Sequence, residues 1–211
     1  MALIRHNDQN VHPVAGWQAR FQSAPNAVDL WAKHVPSTDH VSPQTLLCVC
    51  YELAALSPDR SNQNGAIILS QRPRGGTWST HGFNTFTRGI NPTPEQLADR
   101  DWKIAHITHA ERAALAKLFF YGADIMATPD IPIVMYCPWF ACADCANAIA
   151  LSPVTKIYGH KQRMDTTPER WKANVDAGLN IIAKAGIEIE LVDGELGNTP
   201  TIRVNGEDWR P

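Results

Sequence analysis

The chain has 211 residues, 44% of them apolar and 19% charged, which suits one globular domain with a full core and excludes wholesale disorder. Nineteen Lys and Arg against 21 Asp and Glu leave a net charge of −2, which argues against a nucleic-acid scaffold, since phosphate backbones are held by basic faces. No stretch nears the roughly 18 uninterrupted apolar residues of a spanning helix, the N-terminus shows no signal-peptide pattern, and five cysteines are an odd number for a disulfide framework, so a cytoplasmic protein with packed or metal-binding cysteines is expected.

Residues 1–41 are polar and irregular, with Pro13, Pro25 and Pro36, and read as an extension to the domain that follows. Leu46, Leu47, Val49, Cys50, Leu53 and Leu56 fall at helical spacing and stop at Ser57-Pro58; Cys48 and Cys50 within this run read as core. Residues 65–69 predict a buried strand, Pro73-Arg74-Gly75-Gly76 a turn, and residues 78–83 the hairpin partner. A helix is expected over 108–120, closed by Gly122, then a strand over 133–137 and a helix over 142–151 stopped by Ser152-Pro153. A strand over 156–159 precedes a long amphipathic helix over 168–185, with Trp171, Val175, Leu179 and Ile182 on one stripe and Gly186 just beyond. Residues 187–192 supply a fifth strand, and 193–211 a tail packed on the domain. Strands alternating with helices after an opening hairpin predict a layered α/β domain over 42–192, with a mixed sheet between helices.

Two short segments carry metal and proton chemistry. Thr108-His109-Ala110-Glu111 opens one predicted helix, and Cys142-Ala143-Asp144-Cys145 opens the next. Cys142 and Cys145, three apart at a helix N-terminus, can aim both thiolates at one point, where the helix dipole favours the anion. His109 adds a nitrogen, and three protein ligands leave the fourth tetrahedral position for water, as in a catalytic zinc site. Such a site brings the pKa of water to about 7, and Glu111, beside the metal rather than on it, would carry the protons. Plainer readings stand beside this one. Thr108 and Glu111 have the spacing of a capping box. The Cys pair could be redox-active, or half of a structural zinc site completed by Cys137 or His106.

H-x-E followed by C-x-x-C is the pattern of zinc nucleobase deaminases, and further residues narrow the resemblance. Gly65-Ala66-Ile67-Ile68, Gly82-Phe83-Asn84, Phe86-x-Arg88-Gly89, Thr93-Pro94-Glu95 and Asp99-Arg100 precede His109-Ala110-Glu111. Met135-Tyr136, Cys142-Ala143-Asp144-Cys145-Ala146 and Ala148-Ile149 follow it. Over about 46–189 the chain resembles the deoxycytidylate (dCMP) deaminase branch of the cytidine deaminase-like superfamily. The resemblance implies a three-layer α/β/α fold with a five-stranded mixed sheet, Zn2+ on His109, Cys142 and Cys145, Glu111 as the catalytic residue, and a homo-oligomer. The implied reaction is hydrolysis of dCMP to dUMP with release of ammonia.

It further implies that Asn84 hydrogen-bonds the base or sugar, that Arg88 holds the phosphate through its guanidinium fork, and that Tyr158 lies near the substrate. Each has a plainer reading, as turn residue, solvated charge and core aromatic respectively. Phe83 and Trp139 could stack on a base, and Arg60 and Asn64 could face the pocket. The chain departs from the family pattern at Thr85, Thr87, Ala113 and Ala141, all beside the expected pocket. The alternatives are a zinc deaminase of another substrate (cytidine, guanine or adenosine in RNA) and a non-catalytic zinc-stabilised module.

Overall fold

In the computed structural model residues 41–71, 77–121 and 131–211 are described. The turn expected at 73–76, the closing Gly122 and, but for Val41, the N-terminal extension lie outside these residues.

Helix α1 (Pro43–Ala55) starts where Ser42 Oγ accepts the Thr45 amide hydrogen and Pro43 takes the first turn, a position that needs no N–H. Strand β1 (Gly65–Gln71) pairs antiparallel with β2 (Thr77–Phe83), Gly65 opposite Phe83. Its other edge pairs antiparallel with β5 (Ile133–Tyr136), Ile67 opposite Tyr136. Strands β6 (Lys156–His160) and β7 (Glu188–Val192) continue the sheet in parallel, in the order β2-β1-β5-β6-β7. Parallel neighbours need long crossovers. These are helix α5 (Ala143–Ala150) between β5 and β6, and the short α6 (Lys161–Asp165) with α7 (Glu169–Lys184) between β6 and β7.

Strand alternation builds two cores. Ala66, Ile68, Ile133, Met135 and Ile157 face one way and pack with α5, α7 and helix α4 (Ala110–Tyr121). Ile67, Leu69, Tyr136 and Val192 face the other way, against Leu46, Leu47, Cys50 and Leu53 of α1. The domain is therefore a three-layer α/β/α sandwich around a mixed five-stranded sheet.

Two parts of the chain, 85–107 and the C-terminal tail, had no helix or strand predicted from the sequence. Residues 85–108 form a two-stranded ribbon, β3 (Thr85–Phe86) with β4 (Ile107–Thr108), and two short helices between them, α2 (Pro94–Ala98) and α3 (Arg100–His106). Among the described residues α2 buries no side chain and α3 buries only Lys103, so no apolar period marks them. In the C-terminal tail, β8 (Ile202–Val204) and β9 (Glu207–Trp209) form a hairpin whose Ile202 and Val204 pack on Tyr51 and Ala54. Its turn, Asn205-Gly206, has both φ angles positive, the geometry that favours Asn-Gly in two-residue hairpins. That dipeptide was the available signal.

Candidate active site

Strand β4 delivers the chain to α4 through His109, which precedes the helix, and Glu111 is the second helical residue. The helix expected from residue 108 thus starts at Ala110, because Thr108 pairs with Thr85 in the β3–β4 ribbon. The first helical amide is capped from outside: Ala110 N–H donates to Asn84 Oδ1 at 3.0 Å. Gly82 allows the helix to lie close on β2, for a Cβ there would sit 2.4 Å from Ala110 O and 2.8 Å from the Ala113 Cβ. Cys142 is the N-cap of α5, and Cys145 lies in its first turn. Glycine at position 178 of α7 lets that helix approach the same loop, where a Cβ would meet Ala141 O at 2.1 Å.

These elements bring His109, Cys142 and Cys145 together. His109 Nδ1 lies 3.5 Å from each sulfur, and the three donor atoms are all within 4.8 Å of one another. A tetrahedral zinc with Zn–S of about 2.3 Å and Zn–N of about 2.0–2.1 Å separates its sulfur and nitrogen ligands by about 3.5 Å. One imidazole and two thiols, at that spacing, fit zinc. Among the described residues no fourth protein ligand joins them. His106 stacks on Trp102 at 4.1 Å and bonds its carbonyl through Nδ1. Cys137 accepts from Asn64 Nδ2 and lies against Trp139 O.

The electrostatics of the cluster point the same way. A hydrogen bond from Cys145 brings the Cys142 thiol down to about 4, against burial and with help from His109. Holding that proton raises Cys145. Burial works to lower His109, but the Cys142 bond and the Glu111 charge outweigh it and raise the imidazole. Glu111 is 2% exposed, its Oε2 has no hydrogen-bond partner, and burial raises its carboxyl to about 7. A buried carboxylate oxygen with no partner is rare in a finished core and common where a proton must be exchanged.

His109, Glu111 and Cys142 line a cavity whose walls include Asn64, Asn84 and Trp139. Asn84 is buried there with both ends of its amide engaged, Oδ1 by Ala110 N–H and Nδ2 by Asn62 O at 2.7 Å. Arg88 does not line the cavity. It is exposed in a turn closed by Ile90 N–H to Thr87 O. Tyr158 is also away from the cavity. It stacks on Tyr136, ring centroids 5.1 Å apart, against the α1 core. Its neighbour Ile157 faces the α4–α5 side, so alternation turns Tyr158 from the layer that carries the cluster. Of the residues expected near the pocket, Asn64 and Trp139 line it, whereas Arg60 and Phe83 do not.

No family model and no curated protein matches this sequence. Solved structures do. The chain is similar to the dCMP deaminase of cyanophage S-TIM5 in apo form (20% identity, 71% of this chain and 96% of that one, TM-score 0.46). It is similar to the same enzyme in complex with dCMP and dUMP (18% identity, 72% and 100%, TM-score 0.49). A C-terminal deletion mutant of Aspergillus oryzae Rib2 deaminase is a further neighbour (21% identity, 72% and 86%, TM-score 0.47). All three are deaminases.

Sequence reasoning missed the charged wall of the cavity. Asp59 and Lys103 are both buried there, Oδ1 to Nζ 2.7 Å, and Arg100 and Arg170 also line it. Lys103 and Arg100 belong to α3, a helix without an apolar stripe, so spacing could not have assigned them to a pocket.

Proposed function

We propose that the protein is a zinc-dependent hydrolase that removes the exocyclic amine of a pyrimidine nucleotide, dCMP above all, and releases ammonia. The observation that carries this is the buried carboxyl of Glu111, its Oε2 without a partner, beside the His109, Cys142 and Cys145 donors at one end of a cavity. His109, Cys142 and Cys145 would hold the zinc, which when bound supplies the Lewis acidity that makes water a nucleophile near neutral pH. Glu111 would take one proton from the attacking water and give it to the ring nitrogen, then take the second from the hydroxyl so formed and give it to the departing amine, leaving the oxygen as the product carbonyl as the carbon–nitrogen bond breaks. A carboxyl beside the metal, rather than on it, can both accept and donate a proton.

Asn84 fixes the helix that carries Glu111 and offers its remaining Oδ1 lone pair to the base or sugar. Arg100 and Arg170, both on the cavity wall, take the phosphate role in place of Arg88, since a guanidinium fork matches phosphate oxygens. The five cysteines at 48, 50, 137, 142 and 145 are unpaired, which supports a reducing, cytoplasmic setting. No helix among the described residues is long and apolar enough to cross a membrane. Exposed Phe119 and Leu151, at the ends of α4 and α5, support association into a homo-oligomer.

The test is ammonia release by the zinc-loaded protein from dCMP, CMP, deoxycytidine, cytidine, guanine and adenosine. A preference for dCMP is expected. Turnover of an unphosphorylated or purine compound would keep the zinc chemistry and overturn the substrate. Silence across the panel with zinc bound would overturn the enzyme reading in favour of a binding module.

A further inference from the structure

Arg163, in α6, is the largest fully buried side chain of the described residues. No ion pair among those residues involves it. Nη1 donates to Thr166 Oγ1 at 2.7 Å and Nη2 to Asn62 Oδ1 at 3.3 Å, while Nε has no partner. The guanidinium carbon lies 4.4 Å from the Trp139 ring centroid. Burial lowers its pKa only to about 10, so the group is a cation at neutral pH. A buried charge without a counter-ion is expensive to keep, and a hydrophobic side chain of similar volume would fill this space more cheaply.

What the guanidinium holds explains its presence. Trp139 and Asn62 both line the cavity with Glu111. The indole is fixed at its edge by Nε1–H to Thr167 Oγ1 at 2.9 Å and on a face by Arg163. The Asn62 amide oxygen accepts from Arg163 and from Asn205 N–H. The Asn62 carbonyl accepts from Asn84 Nδ2, and Asn84 in turn accepts the amide of Ala110, between His109 and Glu111. Arg163 therefore stands at one end of a run of bonds that reaches the catalytic helix.

We propose that Arg163 is a positioning residue of the active site: from behind the cavity wall its planar guanidinium fixes the Trp139 ring and the Asn62 amide, so that the substrate meets a rigid aromatic and amide surface. The choice of substrate rests on the deaminase reading; the brace itself does not. Lysine cannot replace it, because an ammonium has neither a plane to stack nor a fork to reach two acceptors.

The test compares Arg163→Lys and Arg163→Met with the wild type as full-length, zinc-loaded proteins. It measures dCMP kinetics, thermal unfolding, zinc content, and hydrogen exchange of residues 59–64 and 109–113. In both variants the KM for dCMP is expected to rise by about tenfold or more, with kcat falling much less. Zinc content stays stoichiometric, and exchange quickens at 59–64. Should the Met variant fail to accumulate, the Lys variant decides alone. An unchanged KM, or a kcat loss that only follows a lower Tm, overturns the proposal while leaving the deaminase reading in place. If the wild type releases no ammonia from dCMP, that reading falls and exchange decides: faster exchange at 59–64 supports the brace, and unchanged exchange overturns it.

Discussion

Glu111 and the three donors beside it put the proposed chemistry in four side chains at one end of the cavity. Replacing Glu111 with Gln keeps the volume but removes the carboxyl proposed to carry the protons. Ammonia release is expected to fall by about 10²–10⁴-fold with zinc retained, read by kcat and by metal analysis of the same sample. Cys142→Ser should instead lower the zinc content itself, and retained stoichiometric zinc would mean that Cys142 is not a ligand. The spacing of these residues was legible in the sequence, but two of the plainer readings were equally compatible with it. Thr108 and Glu111 have capping-box spacing, yet Thr108 is in a strand and Asn84 caps the helix. The capping box is formed elsewhere, by Thr93 and Gln96. Likewise Cys137 and His106 were available as fourth ligands until their own bonds took them away from the cluster.

At the scale of elements, close backbone approach sets where the donors stand. Gly178→Ala would improve helix propensity by about 1 kcal/mol, but its Cβ would fall 2.1 Å from the Ala141 carbonyl oxygen. Overpacking against backbone costs about 1–3 kcal/mol and should win, so urea unfolding is expected to show a net loss of stability. Strand β2 carries a second consequence. Burial, with the nearby Lys117 charge, lowers His81 to about 4, below the 6.5 of an unfolded histidine. The unfolded chain therefore binds the extra proton first. His81 lets stability stand in full above about pH 6.5 and removes it as the pH falls towards about 4. Unfolding free energies measured across this window should slope less steeply in His81→Gln, and identical slopes would mean that His81 does not carry the linkage. The strands and long helices could be read from period and breakers, whereas α2 and α3 could not, since their exposed faces leave no apolar pattern.

Across the whole molecule, the C-terminal hairpin joins the core of α1 to the cavity. Ile202 and Val204 are buried against Tyr51 and Ala54. The same hairpin accepts Gln63 N–H at Arg203 O and donates from Gly206 N–H to Ser61 O and from Asn205 N–H to Asn62 Oδ1. Ser61 and Asn62 line the cavity. Removing residues 200–211 is expected to cost about 3–6 kcal/mol from the two buried side chains and to raise KM, measured by denaturant unfolding and steady-state kinetics. Stability lost with KM unchanged would mean that the hairpin supports the core but not the cavity.

What the sequence by itself determined is local. Strand alternation, helix stops, and the paired H-x-E and C-x-x-C segments depend on neighbours a few residues away, so they survive in one dimension. Tertiary structure decided which side chains meet. Tyr158 and Ile157 differ only in the face of β6 they occupy, and that face acquires meaning only when helices cover both sides of the sheet. Arg88 and Arg100 are both cations in the same polar stretch, but the fold of α3 brings one to the cavity and a turn leaves the other in solvent. Arg163 is polar in the sequence and buried in the fold, because Asn62, which accepts one of its hydrogens, lies 101 residues away and Trp139, on which its plane rests, lies one crossover back.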